Sequence, residues 1–171
     1  SRAVEEELVT CLNKMSSKKL NNTKGVFFGK GRHSENFQLF KTSSENNSSI
    51  IKTVEEDLIN IMKQAVKSNI FIIDSFFNLL VAGGGSFPHS HVNNFDKTKG
   101  LINQKYSLQY YLSVGDQNCS EPGIFKLQDP DDEILPSNGM IMIIPASRIH
   151  SAVYNGKKDR LMIGVNFYSL L

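Results

Sequence analysis

Apolar residues follow a helical period in two stretches of the first 70 residues and a strand period in the rest of the chain. Within residues 3–15, Val4, Leu8, Cys11, Leu12 and Met15 share one face of a 3.6-residue turn, which predicts an amphipathic helix. Glu5, Glu6 and Glu7 stand in its first turn, where the helix dipole favours negative charge. A second helix is predicted over residues 50–67. Ile51, Val54, Leu58, Ile61, Met62 and either Ala65 or Val66 form its apolar stripe, with Ser48 or Ser49 as N-cap. The intervening residues 16–49 are polar. They hold two short strand candidates, residues 25–28 and 37–41, and a Ser/Asn-rich loop over 43–49.

From residue 70 the pattern is one of strands and turns. Residues 70–82 predict one long strand or two broken ones. Further strands are expected at 106–114, 123–128, 139–144, 150–154 and 160–168. Turn chemistry separates them: Gly83-Gly84-Gly85-Ser86, Gly115-Asp116, Asp129-Pro130-Asp131-Asp132, Pro136-Ser137-Asn138-Gly139 and Asn155-Gly156-Lys157-Lys158. Asn155-Gly156 between two strands reads as a hairpin. Strands this short and this regularly spaced predict a sandwich or barrel, with the two helices packed outside it and covering an edge. The expected organisation is a single domain, 1–171, mainly β. Residues 1–69 form a helical and irregular support and residues 70–171 the β core. No internal repeat is present.

Composition narrows the function classes. The chain has 171 residues, 40% hydrophobic and 21% charged, ordinary for a globular domain with a sizeable core. Its formal net charge of +2 gives no electrostatic case for nucleic acid or an anionic membrane. Cys11 and Cys119 form neither a CxxC pair nor a disulfide framework, so a reducing, cytoplasmic compartment is expected. No apolar run reaches the ~20 residues of a membrane span, and no signal peptide is recognisable. The chain opens on Ser1, as a domain taken from a longer protein would.

The chemistry concentrates in three of the four histidines. His89 and His91 form a His-x-His pair. In a strand, residues i and i+2 point to the same face, roughly 6.5 Å apart, so both imidazoles can reach one ion. His150 follows an apolar, strand-like stretch and suits a third ligand. Three imidazoles fit zinc, iron, copper or nickel. Other features carry less. The glycine triplet lacks a following Gly-Lys-Ser/Thr and a helix, so it is no phosphate loop. Residues 129–133 lack the spacing of a calcium loop. His33 is expected to be exposed in a loop, and Cys119 has no base beside it.

Taken in order, segments of residues 70–171 resemble the 2-oxoglutarate- and Fe(II)-dependent oxygenases, in particular the prolyl-hydroxylase-like branch and its short bacterial and phage relatives. The segments are Pro88-His89-Ser90-His91, then Tyr106-Ser107-Leu108-Gln109-Tyr110-Tyr111-Leu112, then Gly123-Ile124-Phe125-Lys126-Leu127-Gln128-Asp129-Pro130. The turn Ile134-Leu135-Pro136-Ser137-Asn138-Gly139-Met140 follows, then His150 and, ten residues on, Arg160. The resemblance implies a double-stranded β-helix, a jelly roll of cupin-like type, with the two N-terminal helices packed on it. It implies Fe(II) held by His89, His91 and His150, with 2-oxoglutarate as cosubstrate. Arg160 would hold the far carboxylate of 2-oxoglutarate in a bidentate fork, Tyr111 would contact the same carboxylate, and Asn166 would line the pocket. The implied reaction hydroxylates a C–H bond while 2-oxoglutarate is decarboxylated to succinate. The substrate, protein or small molecule, is not implied. A second copy of the chain is a candidate partner.

The sequence departs from the family at His91, where most members carry a carboxylate. Three neutral imidazoles leave the site one charge more positive. Asp96, five residues on, is an alternative carboxylate. The polar stretch 92–104 is expected to be a lid, a specificity element or a disordered loop. Two rival readings stay open. Gly83 followed by His89-Ser90-His91, and Gly139 followed by Pro145 and His150, also resemble the cupin motifs, although Ser147 replaces a glycine and the glutamate after His-x-His is missing. A cupin of this kind would be a three-histidine dioxygenase, an isomerase or a sugar-binding module. The other rival is a non-catalytic, metal-stabilised interaction domain.

Overall fold

The computed structural model describes residues 2–20, 26–42 and 49–170. Gly25, Ser48 and nearly all of the expected 43–49 loop lie outside them. Two antiparallel sheets face each other as a jelly roll. The larger has the order β1-β3-β4-β11-β6-β9 and the smaller β2-β5-β10-β7-β8. In chain order the strands are β1 (Ser17–Lys19), β2 (Phe27–Phe28), β3 (Gly31–Ser34), β4 (Ile70–Leu80), β5 (Gly84–His89) and β6 (Lys105–Ser113). They continue as β7 (Phe125–Leu127), β8 (Asp132–Ile134), β9 (Ile141–Pro145), β10 (His150–Tyr154) and β11 (Arg160–Ser169). The helices are α1 (Arg2–Asn13), α2 (Leu39–Thr42), α3 (Ser49–Val66) and α4 (Asn94–Lys99). No described helix is long and apolar enough to cross a membrane.

The two long helices pack on the outer face of the larger sheet, not over an edge. Leu8 and Leu12 of α1 and Ile51, Val54, Leu58 and Met62 of α3 form one buried cluster with the outward residues of the sheet. Those outward residues alternate with inward ones, as the two-residue period requires. On β6, Leu108, Tyr110 and Leu112 point out while Ser107, Gln109 and Tyr111 point in. On β11, Leu161, Ile163, Val165 and Phe167 point out. Arg160 and Met162 point in, and Gly164 lies against Phe76. Tyr110 thus turns away from Tyr111, as strand alternation predicts, and its hydroxyl donates to Glu5 of α1 at 3.0 Å.

The β4–β11 pairing slips by one residue between Asn166 and Phe167, which leaves Ile73 as the extra residue on β4. This bulge reverses the parity of β4. Ile70 and Ile72 pack toward the helices, whereas Asp74, Phe76 and Asn78 face the interior of the roll. A bulge of this kind re-aims a side chain toward a site.

Several sequence expectations are corrected. Residues 37–41 are not a strand; α2 covers most of them, and Gln38 makes only an isolated bridge to Ser75. Of the glycine turn, Gly84, Gly85 and Ser86 belong to β5. Asn155-Gly156 is not a hairpin turn, because β10 and β11 lie in different sheets. That connection crosses between the sheets, with the Tyr154 hydroxyl donating to the Lys158 carbonyl and accepting from the Asp116 N–H. Residues 92–104 hold α4 and a short 3-10 turn. A reciprocal capping box between Asn93 and Asp96 starts α4, and Gly100, in the left-handed region at φ 69°, ends it.

Candidate metal centre

His89 closes β5 and His150 opens β10, directly opposite each other in the ladder. His91 lies past the end of β5. Its backbone N–H donates to the Ala146 carbonyl at 2.9 Å, which ties the His pair to the turn before β10. The pair therefore meets across a strand end, not along one strand face. Ring centroids lie 4.4 Å apart for His89–His150, 4.9 Å for His91–His150 and 5.1 Å for His89–His91. One ligand atom from each falls within 4.8 Å of the others, and among the described residues no other such group of His, Cys, Asp and Glu occurs.

Hydrogen bonds set the tautomers. His89 Nδ1 lies 2.7 Å from the Phe87 carbonyl and His150 Nδ1 3.1 Å from the Arg148 carbonyl. A carbonyl only accepts, so both Nδ1 atoms carry the proton and both Nε2 lone pairs stay available for a metal. His91 Nε2 and His150 Nε2 stand 3.1 Å apart. Two ligands at right angles, each 2.0–2.1 Å from one ion, would be about 3 Å apart. The donor set therefore fits a divalent transition metal. Burial keeps the rings neutral and ready to ligate. It lowers His91 to about 3, helped by the neighbouring His150 and His89, and lowers His150 to about 4 against the Arg148 carbonyl. His89 shifts down for the same reason, opposed by the Phe87 carbonyl.

Arg160 lines the same cavity, from the first position of β11. It is 3% exposed, with no carboxylate partner among the described residues. Nη1 donates to the Gly123 carbonyl at 3.1 Å, and the guanidinium lies over the Tyr111 ring, 5.1 Å from its centroid. A Cβ at Gly123 would fall 2.2 Å from Nη1, and Gly123 has φ +85°, so glycine is required there twice over. Tyr111 is fully buried and its hydroxyl donates to Gln109 Oε1 at 2.7 Å. Burial draws the Arg160 guanidinium below its usual range and raises Tyr111 above its own, with each group opposing the other's shift.

The remaining predicted residues lie elsewhere. Asn166 is on the inward face of β11 but hydrogen-bonds Asp74 at 2.7 Å and lines an adjoining cleft, apart from Arg160. Asp96 is no metal ligand. Its carboxylate accepts from Lys105 Nζ at 2.8 Å, from the Tyr168 hydroxyl and from the Asn93 N–H. Burial raises this carboxyl, and those hydrogen bonds overcome the effect and hold it below the usual range. His33 is not exposed. It sits on β3, 5% exposed, and neither ring nitrogen has a hydrogen-bond partner among the described residues. Gln109, Ser107 and Asn78 line the three-histidine cavity and were missed. The signal for the first two was present in β6, as polar residues at every second position of an otherwise apolar strand.

No family model and no curated protein matches the sequence. Solved structures match across nearly the whole chain. HygX from Streptomyces hygroscopicus, solved with nickel and 2-oxoglutarate bound, gives a TM-score of 0.73 at 10% identity, covering 100% of this chain and 80% of that one. A Pseudomonas putida prolyl-4-hydroxylase gives 0.66 at 13% identity, over 99% and 86%. A predicted oxalate decarboxylase from Thermotoga maritima gives 0.51 at 14% identity, over 92% and 96%. The likeness is greater to the two oxygenases than to the decarboxylase, and the chain has the double-stranded β-helix fold found in 2-oxoglutarate- and Fe(II)-dependent oxygenases.

Proposed function

We propose that the protein is an Fe(II)- and 2-oxoglutarate-dependent oxygenase that hydroxylates a C–H bond of its substrate. The observation that carries this is Arg160, a buried guanidinium without a counter-charge among the described residues, on the wall of the cavity that holds the three imidazoles. Leaving a buried charge unpaired costs about 3–5 kcal/mol. A small dicarboxylate would remove that cost at one end and reach a metal at the other. His89, His91 and His150 would hold the ion, and bound Fe(II) would supply oxygen activation coupled to conversion of 2-oxoglutarate to succinate. Tyr111 positions the guanidinium through its ring, and Gln109 anchors Tyr111. Three neutral ligands leave the ion's two positive charges uncancelled; one carboxylate of the 2-oxoglutarate dianion offsets one of them, and the other pairs with Arg160.

HygX has been solved with hygromycin B, and a Trichoplax adhaerens prolyl hydroxylase with a peptide fragment, so this fold does not fix the substrate. That Cys11 and Cys119 are not disulfide-bonded supports a reducing cytoplasmic setting, and the net charge of +2 argues against nucleic acid or membrane as partner. The all-histidine donor set favours one other reading, a three-histidine cupin-type centre, in which Arg160 has no anion to hold. Succinate formation by the Fe(II)-loaded protein in air separates the two. We expect slow turnover that requires both Fe(II) and 2-oxoglutarate and that falls about 100-fold in Arg160→Ala. Fe(II) bound by the protein with no succinate above the iron-free control would favour the cupin reading.

A further inference from the structure

A second cleft, of about 410 Å³, shares His89 and His91 with the metal centre but does not reach Arg160. Its volume is that of a small-molecule site. One wall is the stripe Asp74, Phe76, Asn78, alternate residues of β4 spaced roughly 6.5 Å apart, turned inward by the bulge at Ile73. Asn166 stands opposite Asp74 in the β4–β11 ladder, and His33 opposite Asn78 in the β3–β4 ladder. Phe37 meets Phe76 edge-on at 5.7 Å and stacks on His33 at 6.2 Å.

Apart from His33, the unsatisfied polar atoms of this wall are acceptors. Asp74 Oδ1 accepts the Asn166 side-chain N–H at 2.7 Å. Because a carboxylate only accepts, that bond fixes the amide and leaves Asn166 Oδ1 as the free acceptor. It is buried without a partner among the described residues, and so is Asn78 Oδ1; the two side chains are 6% and 5% exposed. Asp74 has no ion pair among the described residues. Lys105, a cation lining the cleft, is bound to Asp96 at 2.8 Å. Burial pushes the Asp74 carboxyl up, while Asn166 and Lys105 act against that shift. The wall therefore presents a negative charge and a neighbouring carbonyl at one end, a further carbonyl at the other, and a phenyl ring between.

We propose that this cleft binds the substrate, a small molecule with a protonated amine held by Asp74 and Asn166, an apolar spacer along Phe76, and a second N–H or O–H donor reaching Asn78. An ammonium has three donors and no acceptor, so it satisfies both the Asp74 carboxylate and Asn166 Oδ1, where a single hydroxyl satisfies one. The Phe76 and Phe37 rings add a cation–π contribution. His89 and His91, on the same cleft, place the rest of the molecule beside the metal. Only the assignment of this ligand as the oxygenase substrate rests on the reading above; the amine selectivity stands on the cleft alone.

The test uses tyramine, which has an ammonium, an aryl spacer and a hydroxyl, against tyrosol, which replaces the ammonium by a second hydroxyl. Binding is measured by equilibrium dialysis, with the protein as isolated and again anaerobically loaded with Fe(II) and 2-oxoglutarate. Tyramine should bind at least about tenfold more tightly than tyrosol, and Asp74→Asn should bring the ratio near one. Phe37, which is half-exposed, gives a second variant. Phe37→Leu should weaken tyramine severalfold and leave tyrosol unchanged. Equal binding of the pair, no binding of either at millimolar concentration, or a preference that survives Asp74→Asn overturns the proposal. Arg160→Ala should lose 2-oxoglutarate yet keep the preference. A preference in a protein that never binds 2-oxoglutarate would leave the amine site standing and remove the oxygenase reading.

Discussion

The two faces of the larger sheet are built from the same strands and buried to a similar depth, yet their chemistry is opposite. Toward α1 and α3, the sheet presents Leu108, Leu112, Leu161, Ile163, Val165 and Phe167, which make no polar demand and contribute stability through burial. Toward the interior of the roll, alternate positions of those strands carry Ser107, Gln109, Tyr111, Arg160, Asn166 and, after the bulge, Asp74 and Asn78. Placing polar groups inside is unfavourable unless each finds a partner. Here Arg160, Asn78 Oδ1 and Asn166 Oδ1 lack a counter-charge or a hydrogen bond among the described residues, and all line cavities next to the three histidines. One face holds the fold together, and the other holds unmet demands that a ligand can satisfy.

This comparison can be broken at several points. The largest effect belongs to His150→Ala, which should abolish tight metal binding in a competition assay against a chromophoric chelator while leaving the fold intact by circular dichroism. Retained binding would show that the three histidines facing this inner face do not build the centre. Next, Phe167→Ala on the outer face should lower unfolding free energy by about 3–5 kcal/mol in denaturant titrations. The folded fraction should still bind metal. Arg160→Met should do the reverse. It removes a buried, uncompensated charge, so stability should stay level or rise, while 2-oxoglutarate affinity drops by about 2 kcal/mol or more in calorimetry. A large loss of stability there would make Arg160 a structural residue.

The last comparison is the pH dependence of the metal-free protein. The folded imidazoles resist protonation, His91 down to about 3 and His150 to about 4, whereas in the unfolded chain they titrate near 6.5. Below pH 6.5 the unfolded state takes up protons that the folded state refuses. These groups should therefore leave stability flat above pH 6.5 and reduce it progressively as pH falls toward 4. His91→Gln should flatten that limb in pH-dependent melts, and an unchanged slope would place the lost stability on other groups.

Much of this contrast could be read from the sequence. The alternation in β6 and β11 is visible as letters, and β10 begins and ends where its apolar pattern does. The helical period of α1 and α3 is equally plain, because each buries an apolar stripe. Where burial is slight, the pattern fails. β1 and β8 are three residues long, their side chains largely exposed and all polar except Ile134, and no periodicity marks them. α4 is held by Asn93, Asp96 and Gly100 and not by an apolar face, so only its capping residues announce it. His33 reads as a loop residue because its neighbours Gly31, Arg32 and Ser34 are small or polar. Pairing of β3 with β4 buries it, and that pairing is long-range. The bulge that turns Asp74 inward is likewise a property of the β4–β11 register, which the strand's own residues do not specify. The convergence of His89, His91 and His150 follows from their order in a jelly roll, and their tautomers follow only from the Phe87 and Arg148 carbonyls.

The central claim is that the interior of the roll assembles one site, with a divalent metal on the three histidines at one end of the smaller sheet and a dicarboxylate held by Arg160 on the inner face of the larger. Anaerobic titration of Fe(II) into the purified protein, with and without 2-oxoglutarate, tests it by the weak visible charge-transfer band of the chelate. The account predicts a band that requires both components and vanishes in Arg160→Ala while metal binding persists. Tight Fe(II) binding with no 2-oxoglutarate-dependent band would contradict it.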